Sequence, residues 1–377
     1  MDRLSAGTAP TEVTPLALVM IARDEARCIQ RCLRSVAPYV DRMLVLDTGS
    51  QDDTVALAQA CGAEVHHMAW PGSFSLARNK ALDLANANWN LILDADEWVV
   101  SGGESLRETV RTLQGPGTVR VESQCGGLAG AGVGVDWLTR LLPRGVRYVG
   151  AVHEQPESPL PRHRLPLVVR HDGYEAEPMV AKKGRNRALL LTMLEQAGGD
   201  DAYLLYQLGK DFEVYGELER AAEVYLRSLG ATDPAASGRS SLIVRTLYCL
   251  GKSGRLQTAL AMAGDFLEEL ADSPDYFFTV GDLCLDAAVA SPQDAVAEWL
   301  PMAKAAWMRC LEIGERPEQD GGIVGRGSYL AAYNLSVVHE GLDEAQEARR
   351  YLHLSRQMRQ AETEMAVPPD ERSTRCR

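Results

Sequence analysis

The chain has 377 residues, of which 46% are hydrophobic and 24% charged, values that suit about two globular domains and exclude a wholly disordered chain. Its 52 acidic against 39 basic residues give a formal net charge of −13, which makes nucleic acid a poor candidate for the main partner. No apolar stretch reaches the ~20 residues of a membrane helix, and the polar start lacks the layout of a signal peptide. We therefore expect no membrane span and a cytoplasmic location.

Three short apolar runs near the start of the chain end in polar or acidic residues, as buried parallel strands do. They lie at 16–21, 43–47 and 91–94. The stretches between them carry apolar residues at helical spacing. Strands that alternate with helices in this way predict βαβ units and a parallel sheet whose carboxyl ends meet at one edge.

The middle of the chain changes in composition. Glycine is frequent from about 102 to 135, which predicts loop and an edge hairpin rather than regular core. Residues 146–173 contain short β-like segments. After about 180 helical periodicity dominates, and the last stretch, VPPDERSTRCR, is typical of a solvated tail.

The second half of the sequence contains a repeat, in which 206–229 aligns with 333–355. The first copy, with Gly209 and Tyr225, resembles the tetratricopeptide pattern, in which small residues let paired helices approach closely. Weaker copies lie between the two. We therefore predict about four helical hairpins over 200–360, stacked because a single hairpin cannot bury its apolar face alone.

The most informative segment is LILDADE at 91–97, in which a hydrophobic strand delivers Asp94 and Asp96 to its carboxyl end. Alternation along an extended backbone would turn both carboxylates the same way. Two such carboxylates suit a Mg²⁺ or Mn²⁺ that also holds a diphosphate, because hard cations prefer oxygen ligands. Alone the motif is weak, since an acidic strand end before a helix cap has the same pattern.

Six motifs that follow one another along the chain strengthen the interpretation of Asp94 and Asp96 as a metal site. They are VMIARDE (19–25), VLDTGSQDDT (45–54), FSLARNKAL (74–82), WNLILDADE (89–97), WLTRLLPRGVRYVGAVHEQ (137–155) and RHDGY (170–174). The set resembles the family 2 glycosyltransferases of the GT-A fold, in the branch that carries C-terminal tetratricopeptide helices. Within this branch the glycosyltransferases that modify glycocins, which are sugar-bearing antimicrobial peptides, are the nearest functional analogy.

The resemblance and the patterns together predict an α/β GT-A domain, Rossmann-like with a mostly parallel sheet and helices on both faces. An all-α tetratricopeptide-like domain of helical hairpins follows it. The predicted segments are a flexible N-terminus (1–14), the GT-A domain (15–180), a linker helix (181–200), the helical domain (201–362) and a flexible tail (363–377).

For the donor site the resemblance implies a nucleoside-diphosphate sugar, UDP-glucose or a similar UDP-sugar, bound with Mg²⁺ or Mn²⁺. Asp96 matches the carboxylate that ligates the metal, and His171 matches a histidine ligand. The Arg78 guanidinium could pair with a phosphate or with the acidic cluster. The residues implied in donor binding are Glu25, Asp47, Arg78, Asn79, Asp94 and Ala95.

The resemblance also implies a catalytic base, because inverting GT-A enzymes use a carboxylate from the region of Glu154 to deprotonate the acceptor. His153 is the rival, since an imidazole titrates near neutral pH. Either residue could instead only hold the loop in place.

Trp137 and Arg140 lie where the acceptor should approach, although both could equally be core and surface residues. Stacked hairpins predict a concave surface suited to a peptide or protein acceptor, with a Ser/Thr hydroxyl or Cys thiol as the attacking group. The alternatives are a saccharide or lipid-linked acceptor, a homodimer through the helical domain, and a scaffold that binds nucleotide sugar without turning it over. A nucleotidyltransferase is disfavoured because the sequence lacks G-x-x-x-x-G-K-[ST].

Overall fold

The computed structural model describes residues 16–127, 130–172 and 185–365. The predicted N-terminal segment, 1–14, lies outside the described residues, as does most of the predicted tail, 363–377. The described part of the predicted linker, 181–200, contains a helix, Arg185–Gln196.

The chain divides into two compact units. Among the described residues, the first contains 16–121 and Trp137–Asp172, and the second contains 122–127, 130–136 and 185–365. A short segment from the middle of the chain therefore belongs with the C-terminal unit.

A mixed sheet with four helices dominates the first unit. The strands are β1 (Leu16–Ala22), β2 (Arg42–Asp47), β3 (Glu64–His67), β4 (Trp89–Ile92), β5 (Glu97–Ser101), β6 (Gly117–Gly127), β7 (Gly130–Pro143), β8 (Arg147–Val149), β9 (Gln155–Glu157) and β10 (His163–His171). The parts of β6 and β7 between Glu122 and Asp136 belong to the second unit. The helices are α1 (Ile29–Val36), α2 (Thr54–Ala60), α3 (Phe74–Ala85) and α4 (Leu106–Thr112).

The sheet has the strand order β3-β2-β1-β4-β7-β6-β10-β5, with β8 and β9 paired separately. β1 is parallel to β2 and to β4, and β2 is parallel to β3. β7 is antiparallel to β4, and β5 is antiparallel to β10. The chain thus adds strands on one side of β1 and then returns to its other side, so the strand order reverses between β1 and β4.

The first strand shows why the sheet needs helices on both faces. Leu18 and Met20 pack into the core that contains Leu33 of α1. Ala17 and Val19, which alternate with them, pack into a second core that includes residues of α3. Because both faces are covered, the strand is a continuous apolar run. Burying one leucine or methionine completely contributes about 1.5–3 kcal/mol.

The glycine-rich middle differs from the prediction of loop and edge hairpin. β6 and β7 are interior strands of the sheet, between β4 and β10. Val119 and Val121 of β6 are buried, and at Gly117 an added Cβ would come within 2.5 Å of Leu165 Cδ1. Glycine here permits close packing on the neighbouring strand, a use of glycine in strands that composition does not distinguish from a loop.

The second unit is helical. Its helices are α5 (Arg185–Gln196), α6 (Ala202–Val214), α7 (Leu218–Ala231), α8 (Arg239–Lys252), α9 (Leu256–Asp265), α10 (Pro274–Ala290), α11 (Leu300–Ile313), α12 (Tyr329–Gly341) and α13 (Ala345–Met365). Helices α6 to α13 form four successive hairpins, which confirms the predicted all-α repeat architecture. None of the helices in the described parts of the chain is both long and apolar enough to cross a bilayer.

An insertion between α11 and α12 departs from the simple repeat. It contains a short strand, β11 (Gly322–Ile323), which pairs antiparallel with Val135 and Gly134 of β7. Next to it the Arg326 guanidinium lies 2.9 Å from the buried Asp275 carboxylate. Burial raises the pKa of Asp275, although Arg326 opposes the shift. Strand pairing and a buried ion pair thus fix this insertion within the second unit.

Gly209 tests the close approach of α6 and α7. An added Cβ would lie 2.3 Å from the Tyr225 ring, and that ring is fully buried with its hydroxyl 2.7 Å from Glu213. Because the ring has no room to move, we expect Gly209→Ala to lower the free energy of unfolding by about 1–3 kcal/mol. Denaturation in urea followed by circular dichroism measures this.

Gly230→Ala is the matched control. Gly230 lies in the paired helix, α7, with nothing within 4 Å of an added Cβ, so alanine should be neutral or stabilise the helix by up to about 1 kcal/mol. Equal effects of the two substitutions would contradict the proposed close packing.

Candidate active site

The reversal of strand order beside β1 predicts a ligand-binding crevice there. In open α/β sheets, ligands bind outside the carboxyl ends of the strands where the order reverses. Here those ends are Ala22 of β1 and Ile92 of β4, which are neighbours in the sheet. The predicted motif Asp94-Ala95-Asp96 begins two residues after Ile92, so the topology brings it to this crevice.

The motif forms a turn rather than the extended backbone that the sequence predicted. The Glu97 N–H donates to the Asp94 carbonyl across 3.0 Å, which closes the turn between β4 and β5. Asp94 and Asp96 consequently contact different partners, described below. Ala95, predicted to contact the donor, has its side chain buried in the core.

The loops that follow β1 and β2 are tied together at the crevice. The Gln51 N–H donates to Asp24 Oδ1 across 2.7 Å, and the Glu25 N–H donates to Thr54 Oγ1 across 2.7 Å. The Glu25 carboxylate, predicted to contact the donor, is half-buried and accepts from the Cys28 thiol at 3.2 Å. These bonds fix the backbone of both loops.

Asp47, at the end of β2, is 4% exposed. Its carboxylate accepts from the backbone N–H groups of Gly49 and Ser50 at 3.2 and 3.1 Å and lies 3.3 Å from His67 Nδ1. Burial alone would raise the pKa of Asp47, but the bonds from Ser50 and its neighbours lower it below the ordinary value. The structure thus shows an ionised carboxylate that organises the turn after β2.

The predicted donor and base residues meet at one guanidinium. Arg78, on α3, is 7% exposed. Its Nη2 lies 2.6 Å from Asp94 Oδ1 and its Nε lies 2.5 Å from Glu154 Oε1. The sequence allowed two partners for Arg78, a phosphate or the acidic cluster. In the structure Arg78 contacts the acidic cluster.

A second buried guanidinium contacts the same cluster. Arg140 of β7 places Nη2 2.8 Å from Asp94 Oδ2 and in a short contact with Glu97 Oε1. Glu97 also accepts from the Asp94 N–H across 2.9 Å. Arg140 is 8% exposed, so the structure gives it a different contact from the acceptor contact that the sequence predicted.

The pKa values of Asp94 and Glu97 shift in opposite directions. Burial opposes ionisation of Asp94, but Arg78 and Arg140 outweigh it and hold the pKa of Asp94 far below the ordinary range. Glu97 is more deeply enclosed, and burial raises its pKa, with the charge of Asp94 acting in the same direction. Asp94 is therefore ionised at neutral pH.

Some buried donors of this cluster have no hydrogen-bond partner within the part of the chain that the structure describes. They are Nη1 of Arg78, Nε of Arg140 and the hydroxyl of Tyr148. Asn79, predicted to bind the donor, instead bonds the backbone of Tyr148, with Nδ2 2.9 Å from the carbonyl and Oδ1 2.9 Å from the N–H. It thereby holds β8 against α3.

Asp96 and His171 come together across the turn. In the β5–β10 pairing His171 lies opposite Glu97, which brings its Nε2 to 3.3 Å from Asp96 Oδ2. Burial lowers the pKa of His171, but the hydrogen bond to Asp96 and its negative charge raise it overall. The pair supplies one oxygen and one nitrogen donor at the crevice.

The loop between β8 and β9 carries His153 and Glu154. His153 has φ 49°, in the left-handed region that non-glycine residues rarely adopt. The Phe74 N–H at the start of α3 donates to the Ala151 carbonyl across 2.9 Å, which anchors the loop. The Glu154 side chain is 10% exposed, and its Oε2 has no hydrogen-bond partner among the described residues.

Trp137 is half-buried, with the Arg164 guanidinium carbon 4.6 Å from its ring centroid. Its acceptor role stays a prediction. Sequence reasoning left Glu97 without a role and did not single out Tyr148. An arginine inside the apolar strand segment WLTRLLP was the available signal, since a buried cation needs a carboxylate.

Several known proteins are similar to this chain. The family described as glycosyl transferase family 2 matches residues 17–120. A TPR repeat-containing protein of Synechococcus elongatus is 32% identical over 287 residues, which is 71% of this chain and 68% of that protein. The prophage-derived glycosyltransferase SunS of Bacillus subtilis is 25% identical over 247 residues, which is 61% of this chain and 56% of SunS. Among solved structures, glucosyl-3-phosphoglycerate synthase from Mycobacterium tuberculosis has a TM-score of 0.35 at 15% identity, over 52% of this chain and 88% of that one.

The chain belongs to the family 2 glycosyltransferases that carry C-terminal tetratricopeptide-like helices, and it has the GT-A architecture that the sequence predicted. Its enzyme class is therefore a nucleotide-sugar glycosyltransferase. The chain spans a little over half the length of SunS.

Arg140 tests the charge balance of the cluster. Removing its guanidinium leaves the buried Glu97 carboxyl and Asp94 with less compensation, and losing one partner of a buried ion pair costs about 3–5 kcal/mol. We expect Arg140→Leu to lower the free energy of unfolding by about that amount, measured by urea denaturation. Arg140→Leu combined with Glu97→Gln should recover part of the loss. A double variant as unstable as the sum of the two single variants would contradict the direct pairing.

Proposed function

We propose that this enzyme transfers a hexose, with inversion, from a UDP-sugar to a hydroxyl or thiol of a peptide or protein, with Mg²⁺ or Mn²⁺ bound. The observation that carries the proposal is the pairing of Asp96 with His171 beside the ionised Asp94, at the crevice where the strand order reverses. The cytoplasmic location stays a prediction.

The donor set at the crevice fits a divalent cation. Asp96 and His171 would hold it, one through oxygen and one through nitrogen. Within residues 16–127, 130–172 and 185–365, no group of three or more His, Cys, Asp or Glu side chains is placed so that it could hold a metal ion by itself. A diphosphate and water would supply the other ligands, as is usual for Mg²⁺ sites that use one or two carboxylates. When bound, the cation offsets the charge that the leaving diphosphate acquires.

Asp94 is assigned to bind the donor sugar, and Arg78 is assigned to hold Asp94 in place. Arg78 holds Asp94 ionised and in place through a 2.6 Å contact, which leaves the carboxylate fixed before the donor arrives. Asp94 is 35% exposed in its side chain, so it can accept hydrogen bonds from sugar hydroxyls. Preorganised groups of this kind lower the cost of reaching the transition state.

Glu154 is assigned as the base. Arg78 binds its Oε1, which orients the carboxylate and leaves Oε2 to accept the proton of the acceptor. In one displacement the acceptor oxygen or sulfur bonds to the anomeric carbon, the bond from that carbon to the diphosphate breaks, and the proton passes to Glu154. His153 remains the alternative base.

The acceptor assignment rests on the helical unit and on the resemblance to the glycocin-modifying enzymes. Tyr333 and Val337 lie one turn apart on α12 and are 50% and 46% exposed. Exposed apolar pairs on stacked hairpins suit an extended peptide. A saccharide or lipid-linked acceptor, or a homodimer through these helices, is the alternative that experiment must exclude.

Asp96→Ala tests the metal assignment. Without this carboxylate, we expect loss of metal-dependent UDP binding and of transfer, while the helical circular dichroism stays unchanged. Calorimetry and a transfer assay measure both. Asp83→Ala, which removes an exposed carboxylate on α3, should behave like the parent. Full turnover of Asp96→Ala in excess chelator would refute the assignment.

Glu154→Gln tests the base. The amide can still accept the hydrogen bond from Arg78 but cannot take a proton, so kcat should fall by about 10²–10⁴-fold with little change in UDP-sugar affinity. Glu157→Gln, three residues on and exposed, is the control. If Glu154→Gln keeps its activity and His153→Ala loses it, the two roles are reversed.

Tyr333→Ser with Val337→Ser tests the acceptor surface. Losing two apolar contacts of about 0.7 kcal/mol each would raise the KM for the peptide about tenfold. Hydrolysis of UDP-sugar should not change. Val289→Ser, at a position that is 75% exposed, is the control. An unchanged peptide KM would refute this surface, and an accompanying shift from dimer to monomer in sedimentation would assign it to dimerisation.

A further inference from the structure

An ion-pair cluster of the first unit lies immediately beside His171. Asp172, the next residue, contacts two arginines that precede or belong to α1. Arg27 Nη1 lies 3.3 Å from Asp172 Oδ2, and Arg31 makes a short contact with the same oxygen. One carboxylate thus binds two cations that are 145 and 141 residues away in sequence.

Helix α1 also contacts β5, the strand that pairs with β10. The Arg31 guanidinium carbon lies 3.7 Å from the ring centroid of Trp98 in β5. Trp98 lies opposite Arg170 in the β5–β10 pairing, next to the pair formed by Glu97 and His171. Through Arg31, α1 therefore contacts both β5 and the end of β10, the two strands that bring Asp96 and His171 together.

Stability alone does not explain this arrangement. Arg27 and Arg31 are 45% and 44% exposed in their side chains, and ion pairs that exposed contribute little to folding. Two guanidiniums on one carboxylate also repel each other. The cluster does lie directly at the end of β10, since Asp172 follows His171, the last residue of that strand.

We propose that Asp172, held by Arg27 and Arg31, is a positioning residue that keeps the His171 imidazole against Asp96. The inference rests on the proposed function, because it concerns the proposed metal-binding pair. Groups that orient a metal ligand without touching the metal typically change metal affinity by about 10–100-fold when they are mutated. The clamp, formed by Asp172, Arg27 and Arg31, acts through His171 and does not touch substrate.

The test is the affinity of Mn²⁺ for the full chain saturated with UDP, measured by calorimetry. Asp172→Asn should weaken Mn²⁺ binding by about 10–100-fold, with unchanged affinity for UDP without metal. The Arg27→Gln, Arg31→Gln double variant should show the same loss, and Asp172→Glu should restore most of the affinity. In transfer assays the Mn²⁺ concentration for half-maximal rate should rise while kcat at saturating Mn²⁺ stays near that of the parent.

Asp83→Ala is the matched control, because it breaks a half-exposed ion pair of the same unit, Asp83 with Arg147 at 2.6 Å. It should leave Mn²⁺ affinity unchanged. If Asp172→Asn binds Mn²⁺ as the parent does, the clamp is refuted. It is also refuted if Asp172→Asn binds UDP more tightly without metal and the arginine variant more weakly, since the arginines would then serve the diphosphate.

The proposed function and the clamp can be refuted separately. A parent chain that binds neither UDP nor Mn²⁺ refutes the proposed function and the clamp with it. A parent that binds both, beside an unaffected Asp172→Asn, refutes only the clamp. Should Asp172→Asn not fold, Asp172→Glu and the double arginine variant still decide the question.

Discussion

Two buried guanidiniums, Arg78 and Arg140, are the constraint on which the rest of the crevice depends. The buried carboxyl groups of Glu97 and Glu154 converge there with the carboxylate of Asp94, which is 35% exposed. Charges are costly to bury without partners. Arg78 contacts Asp94 and Glu154, while Arg140 contacts Asp94 and Glu97. The arginines therefore allow the acidic residues to lie close together, and Asp94 remains ionised as a result.

The fold supplies these arginines from different directions. Arg78 comes from α3, which precedes the acidic turn in sequence. Arg140 comes from β7, which pairs with β4, the strand that leads into the turn. The antiparallel β5–β10 pair then delivers His171 to the opposite side of the turn. A parallel half provides the crevice and the antiparallel strands complete the set of charged groups, so the site needs the whole mixed sheet rather than one βαβ unit.

Local patterns predicted the parts of this structure that local physics determines. The short apolar runs gave β1, β2 and β4, because strands buried on both faces need uninterrupted hydrophobic residues. The destinations of Arg78, Asn79 and Arg140 could not be read in the same way. Each depends on a partner 43 to 76 residues away, and a single sequence carries no record of such pairs. The interior position of β6 was missed because Gly117 serves close packing there and looks like a turn residue in composition.

The central claim is that this crevice binds and activates a nucleotide sugar. The most direct measurement is a screen of UDP-, GDP- and TDP-hexoses with the full chain, in Mn²⁺ and in excess chelator, with the released nucleotide identified by chromatography. The account predicts metal-dependent release of UDP from a UDP-hexose. Release of a nucleoside monophosphate or pyrophosphate, or hydrolysis that continues unchanged in chelator, would contradict it.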